Sequence, residues 1–175
     1  MIRLSLVIPT YNRAAPLLAA LESVVRQDLP PQEWECVVVN NNSPDDTEAR
    51  FGAFAAAHPG VTLRMVREES PGVSYARNRG LAEARGGIVV FIDDDERVNE
   101  GFLRAYADFF DSHPEAAVAG GRIVAEYPGG RPAWMSKWVE MPIANPMDFG
   151  AAVRPFPAGR VPGGGNMAFR RAGLE

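Results

Sequence analysis

Short β-branched runs alternate with helix-patterned stretches from Leu4 to Val118, and no other feature restricts the fold as much. The runs from Leu4 to Ile8, Cys36 to Val39, Val61 to Val66 and Ile88 to Ile92 are largely apolar, as strands buried on both faces are. Pro9 is expected to end the first. Between the runs, Leu17, Leu18, Leu21, Val24 and Val25 mark one face of a helix. Ser43-Pro44-Asp45-Asp46 predicts a second helix start, with a capping hydroxyl, a first-turn proline and acids at the positive dipole end, running to about His58. The stretch from Val73 to Arg85 predicts a third helix, whose small residues Ala76, Gly80 and Ala84 suit close approach to a neighbour. Gly86-Gly87 ends it. Phe102, Leu103, Tyr106, Phe109 and Phe110 predict a fourth. Ala116 to Ala119 and Arg122 to Glu126 read as further strands. This alternation predicts an α/β fold, a mostly parallel sheet with helices on both faces.

The fourth run empties into Asp93-Asp94-Asp95. Ligands of open α/β sheets bind outside the carboxyl ends of strands. Three adjacent carboxylates repel one another, and a divalent cation with its preference for oxygen ligands offsets that repulsion. A solvated acidic turn capping the helix near Asn99 is the other reading of the triplet.

With 175 residues, 46% of them hydrophobic, the chain suits one domain spanning 1–175. Residues 1–126 form its ligand-binding core. Residues 127–175 hold an excursion, rich in Pro, Gly, Trp and Met up to Gly165, of the kind that shapes a substrate site. A net charge of −4 sets the chain apart from nucleic-acid-binding proteins. The lone Cys36 lies in an apolar run and predicts a core residue. His58 and His113 each precede a proline near an expected helix end and belong to no zinc-type cluster. No apolar stretch is long enough to span a bilayer and no signal peptide is expected, so the expected location is cytoplasmic, with any membrane association resting on sequence outside this chain. The final Arg170-Arg171-Ala172-Gly173-Leu174-Glu175 carries no cap or turn signal, so the domain is expected to be truncated there and to leave apolar surface near Phe169 and Leu174 uncovered.

Four segments occur in a definite order: Val7-Ile8-Pro9-Thr10-Tyr11-Asn12-Arg13, Val37-Val38-Val39-Asn40-Asn41-Asn42-Ser43, Ala76-Arg77-Asn78-Arg79-Gly80 ahead of the acidic triplet, and Gly163-Gly164-Gly165-Asn166-Met167-Ala168-Phe169-Arg170-Arg171. In this order the chain resembles family 2 glycosyltransferases, nucleotide-sugar-dependent enzymes with the Rossmann-like GT-A fold. The resemblance covers nearly the whole sequence. It implies inverting transfer of a sugar from a nucleotide diphosphate donor, a UDP-sugar first among the candidates, to the hydroxyl of a glycan, a lipid-linked or a small-molecule acceptor. A cofactor Mn²⁺ or Mg²⁺ would neutralise charge on the departing diphosphate.

Carried over residue by residue, the resemblance assigns the metal to Asp95 and Asp93, with Asp95 the direct ligand and Asp93 toward the ribose. Asp93 and Asp94 are both counted with the nucleotide-sugar-binding residues, although Asp94 is expected to point elsewhere because adjacent strand residues face opposite sides. Pro9, Thr10, Tyr11 and Arg13 frame the nucleoside, on a turn where Asn12 also serves as a helix N-cap. Arg77 reaches the base or diphosphate, or is a surface charge on its helix. Asn40 departs from the family, which usually has aspartate there to accept from the base. An amide can still accept or donate but forms no charge-assisted bond. Asn41 and Asn42 read as turn formers. On the acceptor side stand Gly164, Gly165 and Asn166, or else a bare flexible loop. Trp134 and Trp138, four apart, stack on an acceptor sugar, pair with each other on a helix, or form a homodimer contact.

An inverting transfer needs a general base. By resemblance this carboxylate follows shortly after Asn-Met-Ala-Phe-Arg-Arg, where only Glu175 remains. The catalytic base is therefore unidentified, and the chain is expected to hold the donor half of the site and to transfer little sugar. Two other readings are a nucleotide-sugar-binding pseudoenzyme and a nucleotidyltransferase, although Pro9 to Arg13 lacks the Gly-rich first loop of the latter. A dehydrogenase is disfavoured because no G-x-G-x-x-G follows the first strand.

Overall fold

The computed structural model describes residues 1–144 and 146–173. Leu174 and Glu175, on which part of the expected uncovered apolar end and the edge carboxylate fall, lie outside the described residues, while Phe169 is half-buried against Phe91. In chain order the elements are β1 (Leu4–Thr10), α1 (Ala14–Val24), β2 (Trp34–Asn40), α2 (Thr47–Ala57), β3 (Leu63–Arg67), α3 (Val73–Glu83), β4 (Ile88–Phe91), α4 (Phe102–Ser112), β5 (Val118–Gly120), α5 (Lys137–Ala144) and β6 (Met167–Arg170). The strands form one sheet in the order β3-β2-β1-β4-β6-β5. The first four run parallel, with Thr10 opposite Asn40 and Val7 opposite Phe91, while β6 is antiparallel to both its neighbours.

Strand alternation divides the core in two. Leu4, Leu6, Ile8, Cys36, Val38, Val90 and Ile92 face α1, α2 and α4. Val7, Val37, Val39, Val89 and Phe91 face α3. Helices thus cover both faces. The expected small face of α3 is buried, and a Cβ on Gly80 would overlap Val7 and stand 3.2 Å from Val39 Cγ2. The close approach of α3 to the sheet rests on that glycine.

A buried polar cluster ties the opposite end of the sheet, where the strands begin. Glu35, fully buried, accepts from Ser5 Oγ and Arg85 N, both at 2.8 Å, and from Arg64 Nε at 2.9 Å. Burial alone would raise its pKa; the bonds from Arg64, Ser5 and Arg85 outweigh that and hold it below the usual glutamate value. Cys36 is buried core, and burial pushes its thiol far above its usual range. His58 and His113 terminate α2 and α4, each stacked on the phenylalanine four residues earlier.

Several boundaries differ from the sequence reading. β1 continues through Pro9 to Thr10. Val7 O accepts from Ile92 N on the β4 side, and Pro9 faces that side beyond the last paired residue, so its missing N–H breaks no rung. Helix α2 begins at Thr47, and Ser43 does not cap it. Asp45 does the local work, accepting from Thr47 N at 3.2 Å and Thr47 Oγ1 at 2.5 Å, while Ser43 Oγ accepts from Asn12 N. Nor is Asn12 the N-cap of α1; that position is Arg13, without a side-chain cap bond. Residues 122–126 form no strand, only an isolated bridge between Ile123 and Met147. The excursion contains a short helix despite Pro142. Met167–Arg170, read only as a motif, is a strand inserted between β4 and β5. Among the described residues no helix is long and apolar enough to cross a membrane.

Candidate active site

The strands β1, β2 and β4 are parallel and in register, so their carboxyl ends open together. They form a cleft of about 410 Å³ lined by Pro9, Thr10, Tyr11, Arg13, Asn41, Val73, Ala76, Arg77 and the three aspartates. Eight residues singled out in the sequence meet here although they come from three distant segments. Asn40, Trp134, Gly164, Gly165 and Asn166 are not among the lining residues.

The triplet does not act as one charge cluster. Asp94 is buried and turned to the β1 loop, accepting from Thr10 Oγ1 at 2.6 Å and from Arg13 Nη1 at 3.1 Å. Burial raises its pKa, against the opposing pull of Thr10 and Arg13. Asp95 is exposed and accepts from Arg13 Nη2 at 2.8 Å. That bond, with the surrounding carboxylates, raises Arg13 and keeps it charged. Asp93 accepts from Arg77 Nη2 at 2.8 Å. Two guanidiniums therefore flank the triplet, one from each wall. The Arg77 Nε–H is buried without a partner among the described residues. Arg77 is thus a cleft residue and not a free surface charge.

Glu96 was missed in the sequence. It closes the acidic run as a fourth carboxylate, and that was the available signal. Its Oε2 accepts from Asp93 N at 3.0 Å. Burial, with the nearby Asp93 and Asp95 charges, pushes its pKa up to about 7, against the Asp93 N–H and Arg77. The triple-glycine loop lies on it. A Cβ on Gly165 would overlap the Glu96 carboxylate, and one on Gly164 would stand 2.8 Å from Arg77 Nη2. The glycines are there for close approach, not for a slack loop. Asn166 then anchors the loop: Tyr106 Oη donates to its Oδ1 at 2.5 Å, and its Nδ2 donates to Arg122 O at 3.0 Å. Burial raises the Tyr106 hydroxyl well above its usual range, so it stays a donor.

The asparagine run divides differently from its sequence reading. Asn40 forms the turn, its Oδ1 accepting from Ser43 N at 2.9 Å. Asn41 is a strap: Nδ2 donates to Glu68 O and Ser70 O, and Oδ1 accepts from Gly72 N. It holds the β3–α3 loop, and with it Val73, at the rim of the cleft. Asn12 and Asn42 have positive φ of 54° and 61°, a region asparagine tolerates better than most residues.

Trp134 and Trp138 are 70% and 87% exposed, so neither reaches the cleft nor packs as a buried pair. A second cavity of about 760 Å³ lies between α4 and residues 149–157, with Phe102, Tyr106, Phe109, Phe149 and Phe156 in its wall. Asn166, which follows the glycine loop, lines it too.

The sequence profile of Glycosyl transferase family 2 matches residues 5–175. The minor teichoic acid biosynthesis protein GgaB of Bacillus subtilis is 34% identical over 109 residues, covering 62% of this chain and 12% of that protein. The poly(ribitol-phosphate) β-N-acetylglucosaminyltransferase TarS of Staphylococcus aureus is 32% identical over 113 residues, 65% of this chain and 20% of that protein. A structure of TarS residues 1–349 in complex with UDP-GlcNAc superposes with a TM-score of 0.63 at 30% identity, covering 78% of this chain and 38% of that one. A mannosyltransferase from Pyrobaculum calidifontis shares the fold over 98% of this chain and 45% of that one, at 24% identity and a TM-score of 0.72. This chain spans less than half the length of each of these relatives.

Proposed function

This chain belongs to glycosyl transferase family 2, and from that premise we propose that it carries the donor half of an inverting glycosyltransferase site, taking a nucleotide diphosphate sugar, a UDP-sugar first, and passing the sugar to an acceptor hydroxyl. The observation that carries the proposal is the convergence of Thr10, Arg13, Arg77 and the triplet on one cleft at the parallel strand ends. Arg13 and Arg77 set positive charge where a diphosphate would lie, which favours the leaving group as its charge grows. Tyr11, 57% exposed at the rim, offers a ring face to a base. The S. aureus relative in complex with UDP-GlcNAc supports uridine.

A divalent cation, Mn²⁺ or Mg²⁺, is part of the proposal. Among the described residues no group of three or more His, Cys, Asp or Glu stands close enough to form a complete protein cage. The donor set nevertheless fits a hard cation, which is commonly held by one or two carboxylates with phosphate and water completing the shell. Asp95 and Asp93 would hold it, both reaching the cleft and each sharing an oxygen with an arginine. When bound, the cation would act as a Lewis acid on the diphosphate. Asp94 would hold none, since Thr10 and Arg13 take both its oxygens.

The acceptor is proposed to approach past Gly164, Gly165 and Asn166, toward the larger cavity beside α4. The names of the relatives point to polymeric or lipid-linked acceptors, poly(ribitol-phosphate) in one case and a diphospho-undecaprenol glycan in another. Measuring UDP release from a panel of UDP-sugars, with Mn²⁺ or Mg²⁺ and with or without acceptors, tests the reading. Acceptor-dependent UDP release is the result that supports transfer. Tight UDP-sugar binding without release would favour the binding protein, and pyrophosphate release from UTP the nucleotidyltransferase.

A further inference from the structure

Strand order places the triplet between two loops. The end of β4 is flanked on one side by β1 and its loop at Pro9 to Arg13, and on the other by β6, which the glycine loop immediately precedes. A ligand whose nucleoside end lies against the β1 loop and whose diphosphate crosses the triplet would bring its remaining group to the glycine loop.

We propose that Glu96 is a positioning residue that sets the glycine loop against the triplet and so governs how the group attached to the diphosphate is held. Its carboxylate spans the gap. One oxygen takes the Asp93 backbone N–H at 3.0 Å, fixing the residue that starts the triplet. The carboxylate also packs against Gly165 so closely that no side chain fits there. The next residue, Asn166, is pinned from the far side by Tyr106. The loop is therefore clamped between α4 and the acid run. Glu96 is not among the residues lining the nucleotide cleft, so its effect passes through the loop and Asp93. This inference rests on the donor reading above for what the loop holds, but not for the clamp itself.

Two measurements separate the clamp from the donor reading, both on the parent and on Glu96→Gln, Glu96→Ala and Gly165→Ala. The first needs no ligand: hydrogen exchange of the backbone amides at 164–166, with those at 10–13 as internal reference. Glu96→Ala and Gly165→Ala should speed loop exchange roughly tenfold and leave the reference unchanged. Glu96→Gln keeps the shape and the carbonyl acceptor for Asp93 N–H, and should stay near the parent. The second is calorimetric binding of UDP and of UDP-GlcNAc with Mn²⁺. The affinity ratio of UDP-GlcNAc to UDP should shift at least fivefold in Glu96→Ala and Gly165→Ala only. Unchanged loop exchange in Glu96→Ala would overturn the clamp whatever binds. Equal losses for UDP and UDP-GlcNAc would overturn the positioning role. If the parent binds neither ligand, the donor reading falls and the positioning role falls with it, while the exchange data still decide the clamp.

Discussion

Thr10 donates its hydroxyl hydrogen to Asp94 at 2.6 Å, joining the end of β1 to residues 84 positions later in the chain. The bond is buried, and it holds the middle aspartate against the β1 loop while its two neighbours stand more open to the cleft. One triplet therefore contains a buried carboxylate bonded to Thr10 and Arg13 between two more exposed ones.

Asp94→Ala should accordingly destabilise the chain by about 1–3 kcal/mol in urea unfolding, since Thr10 loses its buried partner. Asp95→Ala, at an exposed position, should stay within about 0.5 kcal/mol of the parent. Calorimetric Mn²⁺ titration with UDP present should show binding that Asp95→Ala removes. Binding that survives in this variant would take Asp95 out of the metal site.

The family register of Asn40 implies a role in base choice, although the residue does not line the cleft. Its carbonyl oxygen is committed to Ser43 N, which leaves its NH₂ as the free group. Asn40→Asp keeps the bond to Ser43 and replaces that donor with a charged acceptor, suited to the N3–H of uracil. Thermal shifts with UDP, GDP, CDP and dTDP should move in favour of uridine in the variant. Identical rankings in variant and parent would mean that Asn40 does not read the base.

Glu35 gives an acid-side prediction. Its folded pKa is held below the unfolded value near 4.5. The unfolded chain therefore takes up its proton first as pH falls, so the stability from this group is complete above about pH 4.5 and is lost as pH drops through the folded value. Glu35→Gln should flatten that part of the acid unfolding curve. Glu35→Ala should cost about 1–3 kcal/mol at pH 7, because Ser5 Oγ and Arg85 N lose their buried acceptor while Arg64 keeps Glu83. An acid limb identical to the parent's in Glu35→Gln would remove Glu35 from this role.

Gly80→Ala should lower stability by about 1–3 kcal/mol, even though alanine favours helices, because the added methyl overlaps Val7. Gly52→Ala in α2, where a Cβ meets nothing within 4 Å, is the control and should be neutral or stabilising by up to about 1 kcal/mol. Equal effects at both positions would contradict the close packing of α3.

The parallel core and the helices on both faces were legible in the sequence, because each rests on local chemistry, whereas Pro9 to Arg13 and Arg77 were singled out by the family resemblance. A buried parallel strand needs an apolar run, and its carboxyl end is where ligand-facing residues stand. The lone Cys36 and the two helix-end histidines were legible for the same reason. β6 was not, since Met167–Arg170 becomes a strand only by pairing antiparallel with β4 and β5. The strand expected over 122–126 failed because β-branched residues form a ladder only where a partner edge is available.

The family resemblance, more than local pattern, implied that the outer aspartates and Arg77 belong near one another. Only the tertiary structure decided which oxygen each guanidinium takes, that Asn40 forms a turn while Asn41 straps a loop, and that Glu96 lies under Gly165. Some of those contacts are local, like Asn40 with Ser43, but others reach from 16 positions apart for Arg77 and Asp93 to 81 for Arg13 and Asp94, and a side chain at a strand end or turn has no periodicity to set its direction. Glycine shows the division most plainly. Gly163 to Gly165 reads as freedom in the sequence, whereas Gly164 and Gly165 in the fold mark where Arg77 and Glu96 leave no room for a side chain.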